Sequence, residues 1–299
     1  MRILAVLFLL SLMVATTVTT GRAFAASDEL LVYVDARAHA GGDGRTPATA
    51  FNDIGTAAQT AAATYAGQSK IRIEIAPGTY VGQKIDWRWQ TPSALIIEGM
   101  PGNPRPDFDG GGSSTHWASF RPPATNITIR HVAIRNYYEG IVFSYRGANS
   151  NETIEDNSFQ NIGLVPTAYA VIGFGNTSNS VIRNNTFVDI SNNSGCGGLH
   201  AIYAQHGSSS NLIENNRFEN VCGQAIKLRD RSNNNQIVNN RFVGPQTRMM
   251  VVESYQPGEC QSIGNVVRGN TSDSEGVISY KSAHAKDVPG CPVGIRFAQ

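Results

Sequence analysis

The residues of this chain best equipped for chemistry are Tyr203, Gln205, His206, Lys227, Arg229, Arg231, Glu253, Tyr255 and Lys281. Lys227 follows Tyr203 by 24 residues, Glu253 follows Arg229 by 24, and Lys281 follows Glu253 by 28. The set combines cations with groups that move protons. An arginine fork neutralises a carboxylate, which acidifies the carbon–hydrogen bond beside it. A base then takes that proton and an acid protonates the departing oxygen, an elimination. A lysine serves as base where neighbouring cations favour its neutral form, and Arg229 and Arg231 follow Lys227. Lys227 is therefore the expected base and Arg229 the expected carboxylate neutraliser. His206 or Tyr203 is the alternative proton donor or base. Gln205, Arg231, Glu253, Tyr255 and Lys281 are expected to line the substrate. The competing reading is a solvated strand face with Arg229 paired to Glu253, an arrangement of little energetic weight.

Such scattered residues act together only if a repeat stacks them. An apolar residue, two spacers, Asn, one spacer and usually Phe recur five times: Ile154 to Phe159, Ile182 to Phe187, Ile213 to Phe218, Ile237 to Phe242 and Val267 to Ser272. The key asparagines Asn157, Asn185, Asn216, Asn240 and Asn270 are 28, 31, 24 and 30 residues apart. A fixed motif on a variable period means one structural turn per copy, with length differences confined to loops. No copy can bury its own apolar face, so the copies stack. A second strand precedes each next copy, as in Ala201–His206, Ala225–Asp230 and Met249–Ser254, and most of these strands alternate in polarity. The pattern predicts an all-β parallel β-helix of about eight coils. A short helix from Asp53 to Tyr65, rich in Ala and Thr, would cover its open first end. The alternation turns Ile202/Ala204 and Ile226/Leu228 inward. It turns Val142/Ser144, Ile172/Phe174, Tyr203/Gln205, Lys227/Arg229 and Val251/Glu253 outward, as one exposed stripe.

The segment from Tyr33 through Gly41-Gly-Asp-Gly-Arg-Thr46 to Ile75-Ala-Pro-Gly-Thr-Tyr80 resembles the opening of pectate-lyase-like right-handed β-helix proteins. The asparagine motif is similar to their ladder at the turn between the second and third sheets. The resemblance implies a single right-handed parallel β-helix domain over residues 26–299, with substrate bound on the first sheet. It also implies a polysaccharide lyase acting by β-elimination on a uronic-acid polymer. A glycoside hydrolase, an epimerase or a non-catalytic glycan-binding rod remain alternatives, because one fold hosts many reactions. Clustered aspartates before Gly-His-Gly and an Asp-Pro-His-Asp segment, the hydrolase and epimerase patterns, do not occur. In the binding alternative Trp87, Trp89 and Trp117 would be stacking platforms.

The ladder asparagines are read as scaffold, because amides stacked in a tight bend satisfy one another. Asn270-Thr-Ser272 matches a glycosylation acceptor, yet its ladder position argues against that use. Calcium is a theme of the resembled proteins. The outward stripe offers only Glu253 and Asp230, enough for a single Ca2+ at most. Asp107-Phe-Asp109-Gly-Gly-Gly112 reads as a turn, and no other cofactor is expected.

Residues 1–25 read as a secretory signal: Arg2, an apolar run from Ile3 to Ala15, and Ala23-Phe24-Ala25 as the cleavage pattern. The run is shorter than the roughly 20 residues a membrane span needs. Secretion or periplasmic export as a monomer is the expectation. Losing Arg2 and Arg22 with that segment leaves 22 basic against 23 acidic residues, a formal charge of −1. That balance excludes a partner selected by strong basic charge, nucleic acid or an anionic membrane. Four cysteines, Cys196, Cys222, Cys260 and Cys291, favour disulfides in an exported chain. Three connectivities are open; Cys196–Cys222 and Cys260–Cys291, each about one repeat apart, are preferred.

Overall fold

The computed structural model describes residues 29–64, 70–112, 115–192, 195–196, 198–253, 257–273, 279–280, 289–291 and 297–298, with backbone alone for 64, 248–253, 279–280 and 297–298. The expected signal segment, Tyr255 and Lys281 lie outside them.

Each turn of the chain begins with a bend that the motif dictates. The residue before each ladder asparagine has a left-handed backbone: Asp156 φ 54°, Asn184 φ 56°, Asn215 φ 55°, Asn239 φ 55° and Gly269 φ 64°. Asp, Asn and Gly are the residues that enter this region readily, which explains the composition of that column. The next asparagine then turns inward. Asn216 Nδ2 donates to Ile182 O (2.9 Å) and to Asn240 Oδ1 (3.0 Å), while its Oδ1 accepts from Asn185 N–H (3.0 Å). The same bonds link Asn157, Asn185, Asn240 and Asn270. Flanking them, Ile154, Ile182, Ile213, Ile237 and Val267 are in register and buried. The phenylalanines Phe159, Phe187, Phe218 and Phe242 stack with centroids 5.0, 4.9 and 4.9 Å apart.

Among the described residues these coils form three long parallel sheets of eight, ten and eight strands, with a two-stranded parallel pair, Asn149–Ser150 and Thr177–Ser178, at one turn. The first sheet contains His116–Phe120, Glu139–Phe143, Ala170–Gly175, His200–Gln205, Gly223–Arg229 and Thr247–Glu253. The second carries the isoleucine column and the third the phenylalanine column. The result is an all-β right-handed solenoid of about seven turns with one short N-terminal helix, close to the eight coils expected.

A second polar ladder escaped the sequence reading. Ser180, Asn211, Asn235 and Asn265 are linked by backbone N–H donors to the next side-chain oxygen at 2.9–3.0 Å, at the turn between the first and second sheets. Glu152 N–H extends it by donating to Ser180 Oγ at 2.9 Å, and with Glu and Ser in the early coils no single motif announced it. The helix, Ile54–Thr64, is capped by Asp53, whose carboxylate accepts from Thr56 N–H. It buries Ile54, Ala57, Ala58 and Ala61. The disulfides are Cys196–Cys222 and Cys260–Cys291, the preferred pairing.

One expected strand register is corrected. Ile172 and Phe174 pair with Ile141 and Phe143 and are buried, so they face the core, not the outward stripe. Val171, Gly173 and Gly175 alternate with them. A slip of one residue inverts the faces of a strand, and this strand is apolar throughout.

Candidate functional site

Tyr203 and Lys227 are Cα partners on adjacent strands of the first sheet, as the repeat required. Lys227 Nζ lies 5.0 Å from the centre of the Tyr203 ring, within cation–π range. Arg229, on the same strand as Lys227, donates from Nη1 to the Tyr203 hydroxyl at 2.9 Å. Two of the expected cations thus meet on Tyr203, Arg229 at its hydroxyl and Lys227 at its ring.

Their surroundings differ from the expectation of an exposed stripe. Tyr203 is 4% exposed, Lys227 7% and Arg229 9%. Tyr169 covers Tyr203 edge-on at 5.8 Å, and Glu259 covers Arg229. Arg229 Nε donates to Glu259 Oε2 at 3.0 Å and its Nη2 bonds Oε1, a bidentate pair. Glu259, from the segment after the strand, holds the guanidinium; Glu253 is the Cα partner of Arg229, and the expected pairing of their side chains lies outside the described residues. Buried ion pairs of this kind stabilise only while both partners are present.

His200 lies beneath this group. Its Nδ1 donates to Gln224 O at 2.8 Å and its ring lies 5.5 Å from that of Tyr203. Burial, and then the charge of Lys227, push its pKa down to about 3, so it is neutral at physiological pH. Burial, and then the nearby Glu139 carboxylate, push the Tyr169 phenol well above its ordinary value.

His206 and Arg231 form a separate group where the strands end. His206 Nδ1 is 3.3 Å from Asp230 Oδ2, and its ring lies 4.7 Å from that of Tyr145. Arg231 Nη1 donates to Asp230 Oδ1 at 2.8 Å, and Cys260 N–H donates to the same oxygen at 3.3 Å. Gln205 is half-buried between the two groups in sequence. The side chains of Glu253, Tyr255 and Lys281 lie outside the described residues.

Glu259, Tyr169 and His200 complete the site and were not among the expected site residues. Tyr169 and Glu259 lie in connecting segments that carry no period. His200 begins a strand, and nothing in its sequence context marks it as buried under a lysine. Trp87 and Trp117 are fully buried, which removes them as stacking platforms. Asp107–Asp109 is a strand of the third sheet and not a turn as expected; the turn is confined to Gly111–Gly112, Gly111 N–H donates to Asp109, and both aspartates are paired with Arg135. Among the described residues no group of three or more His, Cys, Asp or Glu is placed to hold a metal ion. No helix among them is long and apolar enough to cross a membrane.

A family model described as the right handed beta helix region matches residues 123–288. The structure is similar to pectate lyase Pel9A, with a TM-score of 0.51, 13% identity, and coverage of 86% of this chain and 78% of that one. An alginate lyase from Paenibacillus sp. str. FPU-7 aligns over 91% of this chain and 98% of its own, at 12% identity and a TM-score of 0.49. The AlgE4 A-module, a mannuronan C-5 epimerase of Azotobacter vinelandii, covers 84% of this chain and 92% of its own at 14% identity and a TM-score of 0.34. No curated protein sequence matches the chain significantly. Identities this low bear on the fold and leave the reaction to be argued from the site.

Proposed function

Since the chain belongs to the right-handed β-helix family, we propose that it is an exported polysaccharide lyase that cleaves a uronic-acid polymer by β-elimination at Tyr203 and Lys227. The observation that carries this reading is the convergence of Lys227 and Arg229 on the Tyr203 phenol. A pectate lyase among the similar folds supports the substrate class. The two disulfides suit an oxidising compartment.

The geometry redistributes the roles read from sequence. Arg229 is engaged by Glu259, so its guanidinium acts on the phenol and not on a sugar carboxylate. Its hydrogen bond stabilises negative charge on the Tyr203 oxygen. Lys227, its ammonium over the Tyr203 ring, is the cation that neutralises the uronate carboxylate. Tyr203 takes the C5 proton; the electron pair forms the C4–C5 double bond and expels O4. The same phenol returns the proton to O4, so one proton moves and no co-reactant is consumed. His206, hydrogen-bonded to Asp230 and with its ring against that of Tyr145, lies at the end of the Tyr203 strand and contacts the substrate.

The test is ultraviolet absorbance of unsaturated uronide on addition of pectate, alginate, glucuronan or a glycosaminoglycan. Absorbance with at least one polymer is expected. New reducing ends without absorbance would indicate a hydrolase. Retardation of the polymer in an affinity gel, with neither product, would indicate a binding rod.

A further inference from the structure

Upstream of Tyr203 on the same sheet, a cleft of about 260 Å³ is lined by Lys84, Asp86, Thr115, His116, Ser119 and Arg121. Lys84 and Arg121 are exposed, and neither has an acidic partner among the described residues. Asp86, the acid in the lining, is neutralised by Arg88. His116 is held from behind: its Nδ1 lies 2.9 Å from Oε2 of Glu139, a fully buried carboxylate. The two atoms are close without forming a hydrogen bond. The other oxygen of Glu139 accepts from Tyr169 N–H at 2.9 Å. A buried carboxylate fixed by backbone thus lies on the Nδ1 side of the imidazole, with Nε2 on the far side of the ring.

The register connects this cleft to the candidate site. Asp86, Ser119, Val142, Gly173, Tyr203 and Lys227 are successive Cα partners in one column. Between Ser119 and Tyr203 the floor is Val142 and Gly173, small and without charge. Three coils separate these two residues, about 14 Å at ordinary strand spacing, a distance that an oligosaccharide of a few units spans. Tyr138 and Tyr169 lie beside the column at the starts of their strands, with the Tyr138 ring 5.6 Å from that of His116.

We infer that the Lys84–His116–Arg121 cleft is a remote subsite that binds a carboxylate of the same acidic polymer, so that the protein recognises long chains better than short ones. The inference rests on the acidic-polysaccharide reading above. It adds a site that contains none of the reacting groups.

The test is calorimetric binding of short and long oligouronides, with neutral oligosaccharides as controls, to the full chain carrying Lys227→Ala so that substrate is not consumed. Adding Lys84→Ala and Arg121→Ala is expected to weaken binding of the long oligomer about five- to tenfold, the scale of two exposed ionic contacts. Short oligomers should be unaffected, and the difference should shrink at high salt. Both substituted residues are exposed, so folding is preserved, and circular dichroism checks it. Equal losses for short and long oligomers, or no loss, overturn the subsite. If that happens while the parent protein still produces unsaturated uronide, the lyase reading stands alone. If the length-dependent loss appears without unsaturated product, the cleft stands and the lyase reading falls. A parent protein that binds no acidic oligosaccharide overturns both.

Discussion

Tyr203 takes its setting from two coils and a connecting segment: Lys227 at its ring, Arg229 at its hydroxyl and Glu259 behind Arg229. If Lys227 is the neutralising cation and Tyr203 the proton carrier, their substitutions separate. Tyr203→Phe and Lys227→Ala should each lower turnover by about 10²-fold or more, the usual scale for a proton-transfer group. Lys227→Arg should retain measurable turnover, because a guanidinium still neutralises a carboxylate. A dead Lys227→Arg with a live Tyr203→Phe would return the base role to Lys227. A different residue carries a prediction on stability. Glu152 is buried, its Oε2 accepts from Ile127 N–H at 3.0 Å, and burial pushes its pKa up to about 8. The folded state therefore holds its proton more tightly than the unfolded chain. The stability from this group is full below about pH 4.5 and lost as pH rises towards about 8, a change on the order of 4 kcal/mol. Glu152→Gln, which keeps a neutral acceptor, should raise Tm at about pH 9 by about 5 °C or more. Near pH 4.5 it should change little. Equal effects at both pH values would mean that Glu152 does not titrate across this window.

The strand and the turn are the scale at which the sequence was most legible, and the reason is physical. A bend that needs a left-handed residue followed by an inward amide restricts both positions in every copy. Asp156-Asn157 and Asn215-Asn216 therefore look alike although 59 residues separate them. The register so fixed placed Tyr203 beside Lys227 correctly. It failed at Ala170–Gly175, where no polar residue marks the outward face, and it could not see Glu259 or Tyr169, whose segments have no period. The His116 cleft was equally silent, since its residues come from two early strands without the motif. The ladder itself is open to test. Asn216→Ala removes a side chain whose oxygen and nitrogen bond Asn185, Ile182 and Asn240, leaving buried backbone groups without partners. A loss of about 3 kcal/mol or more is expected in denaturant melts. Asn215→Gly, at the left-handed position beside it with φ 55°, should cost far less, whereas a β-branched residue there should cost at least as much as the ladder mutation. Comparable losses for Asn216→Ala and Asn215→Gly would argue that the amide ladder adds little.

Across the whole molecule, stability is distributed coil by coil, because each turn touches only its neighbours. The two ends are protected differently. Helix Ile54–Thr64 covers the first coils with Ile54, Ala57, Ala58 and Ala61, whereas both disulfides lie in the C-terminal half. They close loops with separations of 26 and 31 residues, and the chain-entropy estimate for such loops is about 3.5 kcal/mol each. Reduction should therefore act locally. Amides of Gly223–Arg229 and Asn265–Arg268 should lose hydrogen-exchange protection, while those of Lys70–Ile75 and Ala94–Gly99 keep theirs. The site should feel the same event, because Cys260 follows Glu259 and its N–H bonds Asp230. Freed of that tether, Glu259 holds Arg229 less often, and Arg229 holds the Tyr203 phenol less firmly. Reduction of the intact protein should then lower turnover at temperatures where the N-terminal coils remain folded. Uniform loss of protection along the rod would mean that the coils unfold as one unit. Retained turnover after reduction of Cys260–Cys291 would mean that Glu259 is seated by packing alone.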